Sequence, residues 1–221
     1  MKIGIESNIL KHLLQNVYFI NGTAYAGKST MIKRLSEEFD GIWCGENYHD
    51  ELMDCIDEIH QPSLSYLRNM KDWQEFISRT PEEYDNWVQG CYEESIGLEL
   101  IILLRLVTSG KKIFVDTCIP PSVLKEISDE KHVLIMLAPR DTSVKQFFER
   151  EDAEKQFLYQ QLLQAKEPEK AIQNFRSCLE RVNSQEHFDE YLNSGFEVLH
   201  RDENRTIDET LEIVAKHFGL L

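Results

Sequence analysis

The segment INGTAYAGKST, residues 20 to 30, places two glycines five positions apart and sets a lysine and two hydroxyl residues directly behind the second glycine. This spacing is GxxxxGK[ST], and it runs from Gly22 to Ser29. Successive backbone N–H groups in such a loop point into a concavity that ends at a helix N-terminus, which forms an anion site without any side chain. The lysine would reach the β- and γ-phosphates of a nucleotide, and the first hydroxyl would be a ligand of Mg²⁺. The residue types therefore predict a site for ATP and Mg²⁺.

The segments that flank Gly22–Ser29 decide between a phosphate-binding loop and a chance match in an ordinary turn. A short β-branched and aromatic run, VYFIN at 17–21, leads into the first glycine, and KSTMIKRLSEEF at 28–39 carries apolar residues at helical spacing. Strand, loop and helix is the context that the phosphate loop requires. The predicted nucleotide-binding residues are Gly22, Thr23, Ala24, Tyr25, Ala26, Gly27, Lys28, Ser29 and Thr30.

Composition limits the other classes of function. A chain of 221 residues, 42% hydrophobic and 29% charged, is typical of one globular domain, and we expect a single domain over 1–221. The net charge of −15 disfavours nucleic acid as a partner, because that affinity depends mainly on Lys and Arg at phosphates. The longest apolar run, LELIILLRLV at 98–107, is too short to cross a bilayer and contains Arg105, so it predicts a buried helix and no membrane partner.

The cysteines and histidines show no ligand spacing. Five cysteines form an odd number without a CxxC pair, and the seven histidines include no HExxH, so we expect reduced thiols and no structural zinc. The N-terminus, MKIGIESNIL, lacks the apolar core of a signal peptide. These features together predict a cytoplasmic protein.

Strand-like and helix-like segments alternate along the chain. The predicted strands are 17–21, 41–44, 111–116, 132–138 and 196–201. Long helical stretches separate them, which is the alternation of an α/β fold with a parallel sheet covered on both faces. Thr80 with Glu83, and Thr206 with Glu209, have the spacing of helix capping boxes. An extra helix is expected ahead of the first strand, at roughly 5–15.

The chain resembles the P-loop small-molecule kinases, a group that includes nucleoside monophosphate kinases, shikimate kinase and chloramphenicol phosphotransferase. The resemblance covers the whole chain in layout, but only Gly22–Thr30 is specific. It implies the P-loop NTPase three-layer fold, a five-stranded parallel sheet of order 2-3-1-4-5 with helices on both faces. It also implies that the helical insertion at about 45–110 recognises the phosphate acceptor and that a lid lies at about 140–165. Tyr25 departs from this group, which often carries Gly or Ser there, and it would either cover the phosphates or shield the loop.

Asp116 is the predicted second ligand of the magnesium site, with Ser29. It ends the apolar strand KIFVD, where the resemblance implies a carboxylate that holds a water of the Mg²⁺ shell. The alternative is a structural Asp that caps the turn before Pro120.

Acids that follow the second strand are candidates for the catalytic base. In the resembling kinases a carboxylate near this position accepts the proton of the attacking hydroxyl, and such a base also fixes the nucleophile. The segment GENYHDE offers Glu46, Asp50 and Glu51, and its position favours Asp50 slightly over Glu46. A solvated acidic loop is the alternative for each of them.

Arginines after the fourth strand are the candidates for the lid. Arg140 and Arg150 would clamp phosphoryl oxygens, because a planar guanidinium donates in two places at once. Arg68 and Arg79, in the insertion, would pair with an anionic acceptor such as a nucleoside monophosphate. All four could equally be surface residues. The insertion aromatics Trp73, Phe76, Tyr84 and Trp87 have the helical spacing that is more typical of a core than of a stacking platform.

The sequence favours an ATP-dependent phosphotransferase that moves the γ-phosphoryl group to a nucleoside, nucleotide or hydroxylated metabolite. Lys28, Glu46, Asp50, Arg140 and Arg150 are its predicted catalytic residues. The alternative is a nucleotide-binding regulatory ATPase, a switch that presents a surface to a protein and needs neither an acceptor pocket nor a lid. The residues leave open the acceptor, the preference for ATP or GTP, and the oligomeric state.

Overall fold

The computed structural model describes residues 4–147 and 153–221. The strands in these residues are β1 (Val17–Gly22), β2 (Ile42–Cys44), β3 (Ile113–Asp116), β4 (Val133–Leu137) and β5 (Glu197–His200). They form one parallel sheet of order β2-β3-β1-β4-β5, which confirms the predicted order 2-3-1-4-5. Each strand begins and ends within two residues of its predicted bounds.

Helices separate the strands along the chain, as the alternating pattern predicts. The α-helices are α1 (Ser7–Leu13), α2 (Lys28–Glu38), α3 (Pro62–Asn69), α4 (Trp73–Ile77), α5 (Pro81–Leu106), α6 (Pro121–Ile127), α7 (Arg140–Gln146), α8 (Ala153–Leu163), α9 (Pro168–Val182), α10 (Gln185–Leu192) and α11 (Ile207–His217). Short 3₁₀ helices cover Tyr48–Cys55, Val107–Ser109 and Glu130–His132. Among the described residues, no helix combines the length and the apolarity that a membrane crossing requires.

The described chain divides into two compact units. Unit 1 takes the described residues of Met1–Asp54, Ser95–Ala138 and Asp189–Leu221, and it contains the sheet. Unit 2 takes those of Cys55–Glu94 and Pro139–Phe188, and it is helical. The predicted acceptor insertion and lid overlap unit 2 in sequence. The single domain over 1–221 stays a prediction.

The carboxyl ends of the three central strands of unit 1 lie side by side. The strands β3 and β4 are buried along their whole length, as is β1 up to Asn21, because both faces of a parallel sheet are covered. Ile20 is in register with Asp116, and Gly22 is in register with Met136. The register therefore brings the glycine-bearing segment that begins at Gly22 and Asp116 to one edge of the sheet.

A hydrophobic cluster of unit 1 fixes the helix that follows the loop. Met31, Ile32 and Leu35, on one side of α2, belong to a buried cluster with Ile20 and Phe114 of the sheet. The spacing of these three residues places them on one helical face. Because α2 is anchored in this way, its N-terminus is held against the end of β1.

The core of unit 2 is aromatic. Phe76 is buried, and its ring centroid lies 5.1 Å from that of Trp87 and 5.8 Å from that of Tyr84, both edge-on. Trp73 packs edge-on against the same ring at 5.6 Å. These contacts support the interpretation of the insertion aromatics as core residues.

Both predicted capping boxes are present. In the first, the backbone N–H of Thr80 donates to Glu83 Oε2 at 2.8 Å, and the N–H of Glu83 donates to Thr80 Oγ1 at 3.2 Å. In the second, Thr206 and Glu209 exchange hydrogen bonds of 2.8 and 3.2 Å in the same manner. The helices α5 and α11 therefore begin where the sequence predicts.

Candidate active site

The loop between β1 and α2 needs glycine at its first motif position. Gly22 has φ +123°, and a Cβ atom there would lie 2.0 Å from the carbonyl oxygen of Met136 on the neighbouring strand β4. No side chain fits such a contact with backbone. Gly27, at φ +95°, is left-handed as well, which glycine adopts without steric penalty. The two glycines of the motif therefore shape the turn itself.

Hydrogen bonds fasten the start of the loop to the sheet. The N–H of Gly22 donates to Asn21 Oδ1 at 2.6 Å, and the N–H of Thr23 donates to the carbonyl of Met136 at 3.1 Å. The Thr23 hydroxyl oxygen accepts the N–H of Ala138 at 2.8 Å. This end of the loop is consequently held before any ligand binds.

The far end of the loop is the N-terminus of α2. Its first backbone hydrogen bond runs from the N–H of Met31 to the carbonyl of Gly27, at 3.1 Å, so the N–H groups of Lys28, Ser29 and Thr30 have no acceptor within the helix. The first turn of α2 contains no acidic residue, and Gly27 provides no side-chain cap. Unpaired N–H groups and the positive end of the helix dipole suit an anion such as a phosphate group.

Lys28, Ser29 and Asp116 meet at this helix end. The Ser29 hydroxyl donates to Asp116 Oδ2 at 2.6 Å, and Lys28 Nζ lies 3.7 Å from Asp116 Oδ1. Lys28 Nζ also donates to the carbonyl of Thr23 at 3.2 Å. Asp116 is only 3% exposed, and burial raises its pKa, while the Lys28 ammonium and the Ser29 hydroxyl act in the opposite direction. The structure thus brings together both residues that the sequence predicts as metal ligands.

The oxygen atoms of Ser29 and Asp116 fit Mg²⁺ better than a metal that is enclosed entirely by protein ligands. Within residues 4–147 and 153–221 there is no cluster of three or more His, Cys, Asp or Glu that could hold an ion. Mg²⁺ is usually bound by one or two protein oxygens together with substrate phosphates and waters. The Ser29 hydroxyl and the Asp116 carboxylate are oxygen donors of this kind, next to the anion site.

The three candidate acids after β2 have different surroundings. Glu46 is exposed, and its negative charge raises the pKa of Asp116 and of Cys118, so it acts electrostatically on the Ser29–Asp116 region. The side chain of Asp50 is 70% exposed, and its Oδ1 is 4.0 Å from His49 Nε2. Glu51 forms an exposed ion pair with Arg105. This arrangement favours Glu46, whose charge acts on Asp116, whereas the sequence ranks Asp50 first.

Tyr25 adopts the backbone conformation that its side chain disfavours. Its φ is +63°, in the left-handed region where a bulky residue is uncommon, and its side chain is half-buried. Arg201 Nη1 donates to the Tyr25 carbonyl at 2.6 Å, and Arg201 directly follows β5. Sequence analysis missed Arg201. Its position at the carboxyl end of a strand was the available signal, since ligands of open α/β sheets gather there.

Glu99 is the second residue that sequence analysis missed. It is a carboxylate only 2% exposed, and it accepts hydrogen bonds from the hydroxyls of Tyr48 and Thr117. An acid inside the apolar run LELIILL was the signal, because a buried charge requires partners.

Three of the predicted arginines, Arg68, Arg79 and Arg140, belong to unit 2. Arg140 Nε donates to the carbonyl of Asn183 at 3.1 Å, and Arg140 Nη1 donates to Gln185 Oε1 at 2.6 Å. Arg79 stacks on the ring of Tyr66, with Cζ 3.6 Å from the centroid. Arg68 Nη2 lies 3.5 Å from the carbonyl of Ile56, and Arg150 lies outside the described residues. The roles of these arginines stay predictions.

Comparison of the sequence with protein-family models and with curated proteins found no match.

Proposed function

We propose that the protein is an ATP-dependent phosphotransferase of the P-loop kind, which moves the γ-phosphoryl group to a small-molecule acceptor. The observation that carries the proposal is the meeting of Lys28, Ser29 and Asp116 at the N-terminus of α2. A cation, a hydroxyl and a carboxylate beside unpaired helix N–H groups are the parts that a nucleotide triphosphate and its metal require.

The chain itself supplies the binding of the phosphates. The N–H groups at the start of α2 donate to phosphate oxygens, and Lys28 adds a positive charge on the side of the β- and γ-phosphates. Ser29 and Asp116 would hold Mg²⁺. When bound, the ion neutralises the charge that develops on the transferring group.

An acid after β2 acts on the acceptor. Its carboxylate takes the proton of the acceptor hydroxyl while the new O–P bond forms and the bond between the γ-phosphorus and the bridging oxygen breaks, so that ADP leaves. We propose Glu46 for this role, with Asp50 second, because Glu46 influences Asp116 electrostatically. Arg140 and Arg150 are proposed to neutralise phosphoryl charge.

The cysteines and the net charge support proposals for the location and the partners. We propose a cytoplasmic protein, since the five cysteines are free thiols and reduced thiols are typical of that compartment. The net charge of −15 supports a small molecule rather than a nucleic acid as acceptor.

ADP release tests the proposal directly. We expect wild-type protein with Mg-ATP to release ADP faster when a member of a panel of nucleosides, nucleoside monophosphates and hydroxylated metabolites is added. Slow ADP release that no member of the panel accelerates would favour the regulatory ATPase. A protein that binds no nucleotide would contradict both functions.

A further inference from the structure

Polar residues are buried at the carboxyl ends of β1, β2 and β3 in unit 1. They are Asn21, His49, Glu99, Asp116 and Thr117, each exposed by 7% or less. A buried polar group is costly unless it is paired, and a buried charge is more costly still. Partners must therefore be found for each of them, above all for the carboxylate of Glu99.

Glu99 is paired with two separate segments of the chain. Its Oε2 accepts from Tyr48 Oη at 2.9 Å and from Thr117 Oγ1 at 2.8 Å, and its Oε1 is 3.4 Å from His49 Nδ1. Tyr48 and His49 belong to the 3₁₀ helix that follows β2, and Thr117 directly follows Asp116 at the end of β3. One carboxylate thus joins the acid-bearing segment after β2 to the strand end that carries Asp116.

The hydrogen bonds continue from there to the phosphate loop. Thr117 Oγ1 also accepts the N–H of Ile119 at 3.0 Å, and the carbonyl of Ile119 accepts from Asn21 Nδ2 at 2.6 Å. Asn21 Oδ1 in turn accepts the N–H of Gly22 at 2.6 Å. A connected set of hydrogen bonds therefore runs from Tyr48 through Glu99 to Gly22, within one compact unit.

We propose that Glu99 is a positioning residue that locks the segment after β2 to the β3 end and to the start of the phosphate loop. Its consequence for catalysis rests on the proposed function: the lock holds the acceptor-side acid, on that segment, in register with the Lys28–Ser29–Asp116 group. A displacement of about 1 Å at a reacting centre costs on the order of a hundredfold in rate. A buried carboxylate suits this task, because two hydroxyls from different segments can donate to one oxygen.

The lock can be tested without any activity, through the reactivity of buried thiols. Cys44 ends β2 and is 4% exposed, and burial, with the charges of Glu99 and Glu51, raises its pKa to about 12. At pH 8 iodoacetamide therefore labels Cys44 chiefly when this region opens. Cys178 is 1% exposed in unit 2, so its labelling shows unfolding that extends to that unit. Cys55 is exposed in the folded protein, so its labelling checks that the reagent is active.

We expect Glu99→Gln to accelerate labelling of Cys44 about tenfold or more, as measured by mass spectrometry of the labelled peptides, while the rate at Cys178 stays at the wild-type value. The matched control is Glu37→Gln, which makes the same chemical change at an exposed position of α2, and it should label like wild type. Equal acceleration at Cys44 and Cys178 would show a global loss of stability, and it would overturn the lock.

Loss of the Glu99 charge by itself lowers the pKa of Cys44 and speeds its labelling, so two milder variants that keep this charge decide whether the region opens. They also cover the case in which Glu99→Gln does not fold. Tyr48→Phe and Thr117→Val each remove one of the two hydroxyls that donate to Glu99, and each should accelerate labelling of Cys44 by a smaller factor, about threefold or more. Wild-type labelling rates in both variants would also overturn the proposal.

A second measurement connects the lock to catalysis. In Glu99→Gln, or in Tyr48→Phe if the first does not fold, we expect the affinity for Mg-ATP to stay within about threefold of wild type while acceptor-dependent ADP release falls about tenfold or more. Faster labelling with unchanged ADP release would overturn the positioning role. If wild-type protein releases no ADP with any acceptor, the proposed function fails, and the labelling rates still decide whether Glu99 is a lock.

Discussion

The hydroxyl of Ser29 donates a hydrogen bond of 2.6 Å to the carboxylate of Asp116, although 87 residues separate the two in the sequence. The parallel pairing of β1 and β3 makes this contact, because it brings the first turn of α2 and the end of β3 to the same edge of the sheet. Each of the two residues alone has an ordinary structural explanation. Together with Lys28 they form the group from which the following predictions are drawn.

Lys28→Ala should abolish ATP turnover and leave the fold intact. The Lys28 side chain bonds a loop carbonyl and lies beside a carboxylate, so we expect its loss to remove charge from the proposed phosphate site rather than core contacts. The measurements are ADP release and thermal unfolding. Lys33→Ala, at an exposed position on the same helix, is the matched control and should keep wild-type turnover. Wild-type turnover in Lys28→Ala would remove the phosphate-loop interpretation.

Asp116→Asn should abolish the response to Mg²⁺ and change the pH dependence of stability. Burial raises the pKa of Asp116 above its ordinary value of 3.8, so the native state binds more protons than the unfolded state between 3.8 and the raised pKa. Stability contributed by this group therefore falls as pH rises through that window and is constant above it. The asparagine does not titrate. We therefore expect the unfolding free energy of the variant minus that of wild type to increase as pH rises through the same window.

Urea unfolding without Mg²⁺ at a series of pH values measures this difference. A decrease, as pH rises through this window, in the unfolding free energy of the variant minus that of wild type would contradict the assigned direction of the shift. Ser29→Ala serves as the companion variant, because it removes the hydroxyl that donates to Asp116 and leaves the titrating group in place.

Glu46→Gln should lower acceptor-dependent turnover about a hundredfold, the usual effect of losing a positioned base. ATP affinity should survive, since Glu46 makes no part of the phosphate loop. Asp50→Asn is the matched comparison, because it is the same type of change four residues on, and its exposed side chain should make its effect smaller. The measurements are ATP titration and ADP release. A larger loss in Asp50→Asn would restore the order that the sequence favours, and no loss in either would exclude both acids.

Arg201→Met should loosen the phosphate loop and weaken ATP binding about tenfold, because it removes the hydrogen bond that holds the Tyr25 carbonyl. A left-handed tyrosine is strained, so the loop should relax toward other conformations without this bond. The measurements are NMR relaxation of the amides of residues 24–27 in the free protein and ATP titration. Arg205→Met removes the same charge from a side chain whose bond goes to the carbonyl of His200, and it should behave like wild type.

Gly22→Ala should unfold the protein or destabilise it by about 3 kcal/mol or more, because the new Cβ would lie 2.0 Å from a backbone oxygen that cannot move without breaking β4. Gly97→Ala is the opposite case. Gly97 is exposed within α5, and among the described residues no atom outside its chain neighbours and the adjacent helix backbone lies within 4 Å of an added Cβ. Alanine should therefore stabilise the protein by about 0.5–1 kcal/mol. Thermal and urea unfolding compare the two, and destabilisation by both would refute the local explanation.

The predictability of these features depends on how far apart in sequence their parts lie. The strands, both capping boxes and the loop from Gly22 to Ser29 are local patterns, so periodicity and residue type indicate them. Asp116 could be placed near Ser29 because the resemblance supplied a strand order.

Other contacts have no local signature. Arg201 reaches Tyr25 across 176 residues, and Tyr48 reaches Glu99 across 51. Arg201 follows what reads as an ordinary strand, and Glu99 lies in what reads as an ordinary helix, so neither segment indicates its distant partner. The preference for Glu46 over Asp50 likewise depends on how the side chains are placed in the turn and 3₁₀ helix after β2, and residue types do not reveal this.

The contact between Gly22 and the Met136 carbonyl separates two kinds of constraint within one motif. Gly22 is required by the backbone of β4 whether or not a nucleotide ever binds, whereas the proposed role of Lys28 depends on a phosphate ligand. Descendants of this chain that lose catalysis would therefore be free to replace Lys28, Ser29 or Asp116 long before they could replace Gly22. In any lineage that shares this fold, a glycine at the position of Gly22 would indicate that the fold is kept. A lysine at the position of Lys28 would indicate selection for the proposed phosphate chemistry.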